Sequence, residues 1–175
     1  KLQRLMELLS DKSGSDKLGK GKKTVIFTTY TDTAEYLFRQ LSIRGFRKIG
    51  MVCGSYATST DQPTHSKKYE DILERFAPYT KLFQNKDWHF TATNPDDPQE
   101  AYQEWKAWIA REHPREKAKL DHELDILIAS DVLSEGQNLQ DADLVINYDI
   151  HWNPVRVIKR LGRINRLGSS FATIH

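Results

Sequence analysis

The sequence predicts an α/β protein, a parallel sheet with helices on both faces, and three features of the chain carry that expectation. Short runs of β-branched and aromatic residues recur along it. Between them lie segments whose apolar residues repeat at i, i+3, i+4 and i+7, the period of a helix with one buried face. One long stretch, residues 78–122, interrupts the alternation. Alternating strands and helices need crossover connections, which lay helices over both faces of the sheet.

Residues 1–9 place Leu2, Leu5, Met6 and Leu9 at helical spacing, so a short helix is expected to pack on the domain or on a partner domain. The Ser, Gly, Asp and Lys residues that follow read as a flexible link, giving a first segment 1–22 and a main domain 23–175. Thr24-Val25-Ile26-Phe27-Thr28-Thr29 predicts a strand buried on both faces. Thr31 is the expected N-cap of the next helix, Ala34, Leu37, Phe38 and Leu41 its buried face and Gly45 its stop. Lys48–Cys53 predicts a second strand ending at Gly54. Ser66 is the expected cap of a helix carrying Tyr69, Ile72, Leu73 and Phe76. Strands are expected again at Asp125–Ala129, Leu144–Tyr148 and Phe171–Ile174, with a helix opening at Pro154. The chain opens inside a helical pattern and closes on an incipient strand, so a piece of a longer protein is expected.

Residues 78–122 are too long for an ordinary connection and predict a mostly helical insertion. One helix is well marked there: Asp97 as N-cap, Pro98 at the first position, Glu100 three after the cap, then Tyr102, Trp105 and Ile109. Trp88, Trp105 and Trp108 also lie in this stretch. Aromatic rings stack on bases, but aromatics at helical spacing usually pack inward, so a small core of the insertion's own is expected.

Composition excludes several classes. Hydrophobic residues make up 38% of the chain, enough for a folded core. With 26 Lys and Arg against 24 Asp and Glu the net charge is +2, which neither demands nor excludes nucleic acid. A single cysteine, Cys53, forbids an internal disulfide or a thiolate metal site, and no metal ligands are assigned. No apolar run approaches the roughly 18 residues of a membrane span, so no membrane partner is expected.

Gly14-Ser15-Asp16-Lys17-Leu18-Gly19-Lys20-Gly21 nearly spells a phosphate-binding loop. Gly21 replaces the hydroxyl that would hold magnesium, and the segment precedes a strand instead of joining strand to helix, so the match is rejected. The informative region is Asp125–Gly168. Asn153-Pro154 caps a helix on which Val157, Ile158, Leu161 and Ile164 share one side. Lys159, Arg163 and Arg166 form a stripe opposite, with Arg156 and Arg160 beside it and Gly162 leaving the surface bare. Guanidinium groups suit bidentate phosphate contact. Spacing alone leaves open whether the stripe meets phosphate or water.

The order of the pieces carries more. Asp125–Gln140, with Ser130, Gly136 and Asn138 inside it, resembles motif V of superfamily 2 helicases. Asp143–Asp149 with Trp152-Asn153-Pro154 looks like the strand and turn of the Swi/Snf-type or bacterial RapA-like branch. Lys159–Arg166 resembles motif VI, the arginine-finger helix, and Lys23–Thr29 with Tyr30 resembles motif IV. The resemblance spans residues 23–76 and 123–175 and leaves the insertion unexplained.

The resemblance implies a RecA-like C-terminal lobe of an ATP-dependent translocase or helicase. Arg163 and Arg166 become catalytic arginine fingers, and Gly136, Asn138, Lys159 and Gly162 lie at the nucleotide. Lys159 stands where the family usually carries glutamine. Thr28, Thr29, Gly54 and Ser130 become contacts to the nucleic-acid backbone. ATP with Mg2+ is bound mainly by the first lobe in this family, and the phosphate-binding loop and D-E-x-H-type motif that would hold it belong there. The implied partners are therefore an N-terminal RecA-like lobe of the same protein and nucleic acid, with double-stranded DNA favoured by the W-N-P turn. The implied setting is cytoplasmic and nucleoid-associated in a bacterium, or nuclear in a eukaryote. The alternative is a RecA-like nucleic-acid-binding or interaction module without catalysis, against which the presence of both arginines counts.

Overall fold

In the computed structural model, which describes residues 1–10, 23–54, 56–61, 69–130, 137–149, 155 and 158, every residue of three short strands is buried. In chain order the elements are α1 (Leu2–Ser10), β1 (Lys23–Phe27), α2 (Thr31–Ile43), β2 (Ile49–Cys53), β3 (Tyr56–Ser59), α3 (Tyr69–Phe76), a π-helix (Tyr79–Gln84), α4 (Pro98–Glu112), α5 (Pro114–Asp121), β4 (Ile126–Ala129) and β5 (Ala142–Asn147). The five strands form one sheet in the order β3-β2-β4-β1-β5. β1 runs parallel to β4 and β5, and β2 parallel to β4.

The alternation of side chains along each strand splits the core into two layers. Val25, Phe27, Val52, Leu127 and Ala129 face Ile72, Leu73 and Phe76 of α3. Ile26, Met51, Cys53, Ile126 and Ile128 face Ala34, Leu37 and Leu41 of α2, together with Leu5 and Leu9 of α1. The fold is RecA-like α/β, as the sequence predicts. β3 departs from the parallel expectation: it pairs antiparallel with β2, Cys53 opposite Tyr56, across the Gly54 turn. Gly54 takes a positive φ of 44° there, and the short Tyr56–Ser59 run escaped notice because it is a hairpin return and not a crossover strand.

Two helix ends show how local chemistry is used. Gly45, at φ 88°, donates its N–H to Ser42 O at 3.1 Å, and Phe46 N reaches Leu41 O at 3.1 Å, closing α2 with the expected glycine stop. The expected Thr31 cap is corrected: Tyr30 holds the N-cap position with no side-chain bond, and Thr31 is the first helical residue. The upstream hydroxyl of Thr28 accepts from Tyr30 N instead. The Ser66 cap, the Gly14–Gly21 segment, the Asn153-Pro154 cap and the Phe171–Ile174 strand lie outside the described residues. Tyr69 is exposed while Ile72, Leu73 and Phe76 are buried.

Residues 77–122 contribute helices and no strand among the described residues. The Asp97 carboxylate caps α4 by accepting from Gln99 N and Glu100 N, while Glu100 accepts from Asn94 and does not complete a capping box. Leu82, Trp105 and Ile109 are fully buried, with Phe83, Trp88, Tyr102 and Trp108 packed around them. Tyr102 stacks on Trp105 at 5.6 Å, and Trp88 donates its indole N–H to Leu82 O at 2.7 Å. The tryptophans pack on one another, the inward arrangement expected of aromatics at helical spacing.

Arg75, 2% exposed, ties this helical unit to the sheet: its guanidinium donates to His122 O at 2.9 Å, to Ser59 Oγ at 3.1 Å and to Asp61. Burial alone would raise the Asp61 carboxyl, but hydrogen bonds from Arg75 and Ser59 and the Arg75 charge hold it down to about 2. The folded state thus favours the carboxylate, and the stability it contributes is present above the ordinary value of 3.8 and is lost as pH falls toward 2. Urea denaturation measured from pH 5 to about pH 2 should show a loss of stability that Asp61→Asn flattens; parallel acid limbs in the two proteins would contradict it.

Gly50 is required for space. A Cβ there would lie 2.7 Å from Leu124 Cδ1 and 2.8 Å from Ile72 Cγ2, both side chains buried. Overpacking of this kind costs about 1–3 kcal/mol. Gly50→Ala is expected to lower the denaturation midpoint accordingly, and an unchanged midpoint would show that α3 shifts freely.

Candidate functional site

Four parallel strands end at one edge of the sheet, and the ladder of backbone bonds continues one residue past them. Ser130 N donates to Val52 O at 3.1 Å, Thr28 N to Ala129 O at 3.0 Å, and Tyr148 N to Phe27 O at 2.9 Å. Gly54, Ser130, Thr28 and Asp149 therefore follow the ends of neighbouring strands β2, β4, β1 and β5, a row about 15 Å across at the usual strand spacing. Carboxyl-end edges of parallel sheets are where ligands bind in open α/β folds.

Within the row the side chains differ. Thr28 is fully buried, and its hydroxyl donates to Asp149 Oδ2 at 2.5 Å, so it fixes Asp149 in place and does not point outward. Thr29 is half-buried. Gly54 is exposed, and nothing stands within 4 Å of where its Cβ would be, so the positive φ and not crowding selects glycine there. Ser130 is 4% exposed, and its Oγ meets only the Cys53 thiol, with no other hydrogen-bond partner within the protein. It lies against the Cys53 thiol, which burial pushes up to about 11 although Ser130 opposes the rise. That thiol is neutral and buried, so it is no nucleophile.

Asn138 repeats the pattern. It is half-buried, and its Oδ1 also has no partner. Among the described residues three buried polar side-chain atoms are unpartnered, and two of them belong to Ser130 and Asn138. Buried polar groups are ordinarily satisfied, so an orphan at a sheet edge is a candidate for completion by water or a ligand. Gly136, Lys159, Gly162, Arg163 and Arg166 lie outside the described residues. Val155 and Ile158 are helical and exposed, at 52% and 66%, so the apolar side expected to include Ile158 is not covered at that point by this chain. Among the described residues no three His, Cys, Asp or Glu converge on a metal position, and no metal ligands are assigned here.

Residues 109–168 match the model of the helicase conserved C-terminal domain. The matched stretch includes Ser130, Asn138, Arg163 and Arg166, while Thr28 and Gly54 lie upstream of it. Over 45 residues, 26% of the chain, it is 51% identical to the "Uncharacterized ATP-dependent helicase YqhH" of Bacillus subtilis (strain 168). Over 48 residues it is 44% identical to the "Probable ATP-dependent RNA helicase ddx51" of Dictyostelium discoideum. Each of these alignments spans 8% of the relative's length. The fold is similar to that of the C-terminal part of the Fun30 ATPase domain, with a TM-score of 0.50 and 18% identity, covering 96% of this chain and 38% of that one.

Sequence reasoning missed three residues at and around this edge. Asp149 closes the row beside Thr28, Cys53 backs Ser130, and Asp141 anchors the π-helix by accepting from Tyr79 N and Thr80 N at 2.9 Å. Asp149 was findable as an acidic residue ending a strand. The Asp141 contact spans 61 residues and left no local signal.

The two hydroxyls in the row predict opposite outcomes in urea denaturation. Ser130→Ala removes an orphaned oxygen and should change stability by no more than about 0.5 kcal/mol. Thr28→Val strips Asp149 of its donor and should cost about 1–3 kcal/mol. Equal losses would mean that Ser130 is satisfied inside the protein.

Proposed function

We propose that this chain is the second RecA-like lobe of an ATP-dependent DNA translocase or helicase, completing an ATPase site whose other half is an N-terminal lobe of the same protein. The observation that carries the reading is the pair of orphaned polar atoms on Ser130 and Asn138, both inside the stretch that matches the helicase domain. In this reading Ser130, Thr29 and the backbone at Gly54 meet the phosphates of nucleic acid, with Thr28 holding Asp149 behind them. Gly136, Asn138, Lys159 and Gly162 border the nucleotide, and Arg163 and Arg166 donate to the γ-phosphate of ATP held with Mg2+ by the first lobe. Guanidinium donors act there by stabilising charge that grows during phosphoryl transfer. Residues 78–122 are read as an insertion between α3 and β4, and the W-N-P turn favours the Swi/Snf-type or RapA-like branch and double-stranded DNA.

An RNA substrate is the second reading, favoured by one observation: the Dictyostelium relative is named as an RNA helicase. Comparing stimulation of ATP hydrolysis by duplex DNA and by RNA separates the two.

The test uses the complete protein that carries this chain. Arg163→Ala and Arg166→Ala should each cut nucleic-acid-stimulated ATP turnover by roughly 10³-fold, with a much smaller loss of ATP affinity. The isolated 175-residue chain should turn over no ATP above background. Near-normal turnover in both folded variants, or activity in the isolated chain, would overturn the shared-site reading and leave a non-catalytic module.

A further inference from the structure

The segment that follows Gly136 is held from outside the sheet, by the start of the π-helix. Lys81 Nζ donates to Gln137 Oε1 at 2.5 Å, immediately before Asn138. At the other end of the same short segment, Asp141 accepts from Tyr79 N and Thr80 N at 2.9 Å and from Thr80 Oγ1 at 2.5 Å. Leu139, between them, is fully buried in the core layer that includes α3. Residues 137–141 are therefore clamped at both ends by three consecutive residues of one helix, Tyr79, Thr80 and Lys81.

The clamp is built at some cost. Burial raises the Asp141 carboxyl and lowers the Lys81 ammonium, although Thr80 and the Lys23 charge oppose the first shift and Glu70, Asp141 and Glu74 oppose the second. π-helices are rare and concentrate at functional sites. This one continues directly into the aromatic cluster: Tyr79 meets Tyr102 edge to face at 5.1 Å, and Phe83 packs on Trp105 at 5.4 Å.

We propose that Lys81 is a positioning residue: with Asp141 as its companion clamp, it holds the Asn138 side chain in register at the site and couples that site to the aromatic helical unit. The proposal rests on the function proposed above for its consequence in turnover, but the clamp itself can be tested without it. The contact Lys81 makes here is to Gln137, not to Asn138 itself. It acts through Gln137 on the orphaned amide oxygen of Asn138. Arginine in its place keeps the donor and the charge, while methionine keeps the stem and loses both.

The experiment compares Lys81→Met, Lys81→Arg and Lys86→Met in the complete protein. Lys86 is the control, because it pairs with Glu74 at 2.7 Å on the same helical unit without touching residues 137–141. Hydrogen exchange of the 137–141 amides should accelerate in Lys81→Met, stay near wild type in Lys86→Met and be largely restored in Lys81→Arg. ATP turnover should fall by about tenfold in Lys81→Met with KM for ATP nearly unchanged, again with rescue by arginine. Unchanged exchange at 137–141 in Lys81→Met overturns the clamp, and so does a loss of turnover that Lys86→Met shares equally. A wild-type protein that hydrolyses no ATP overturns the function proposed above, and the exchange comparison then decides the clamp alone.

Discussion

Parallel strands have to be covered on both faces, because their crossover connections lay helices over each side and their backbone bonds are dense and dry. In this chain β1, β2 and β4 obey that constraint completely: no residue of the three is left exposed. Polar side chains with free capacity are thereby expelled to the strand ends. The edge after the carboxyl ends collects Thr28, Gly54, Ser130 and Asp149, and the opposite end is closed by Lys23, whose ammonium donates to Phe76 O at 2.6 Å and pairs with Glu123 at 3.1 Å. One end is satisfied internally and the other keeps an orphaned hydroxyl. That difference is what singles out the carboxyl edge as the candidate site.

The helical unit of residues 78–122 is joined to the sheet by polar contacts, not by a shared apolar core. Its aromatic cluster is separate from the two layers beside the sheet. Arg75 reaches His122 O and Asp61, Lys119 pairs with Glu74 and with Asp71, and Asp141 caps the π-helix. Polar joints are directional, so they hold an orientation with little buried area, and they break when one partner is lost. Exposed pairs such as Arg4–Glu7 add little. The joints that matter are those with a buried member, Arg75 and Asp141.

Much of this was legible in the residues. The continuous β-branched and aromatic runs of the strands and the i, i+3, i+4, i+7 repeat in α2 and α3 arise from the same sterics that build the elements, so the α/β class, the Gly45 stop and the Asp97 cap could be read directly. Ser130 and Asn138 were legible only through motif order. The sequence could not tell that Thr28 turns inward to Asp149, because a threonine at a strand end is equally suited to an internal or an external partner. It also missed β3, whose four residues pair only after the hairpin has folded back.

What the sequence by itself determined, then, is what depends on neighbours within a turn or a strand: the type of most elements, the Gly45 stop and the Asp97 cap, and the chemical inventory of the motifs. Only the tertiary structure decided which of those groups are satisfied. Asp141 and Tyr79 lie 62 residues apart, and Lys81 and Gln137 lie 56 apart. No local pattern encodes such a pairing, since it exists only once the core has brought two distant segments to one place. The orphaned oxygens of Ser130 and Asn138 are of the same kind. Their lack of a protein partner is a property of the finished packing, in which the backbone donors beside Ser130 are already spent on the sheet.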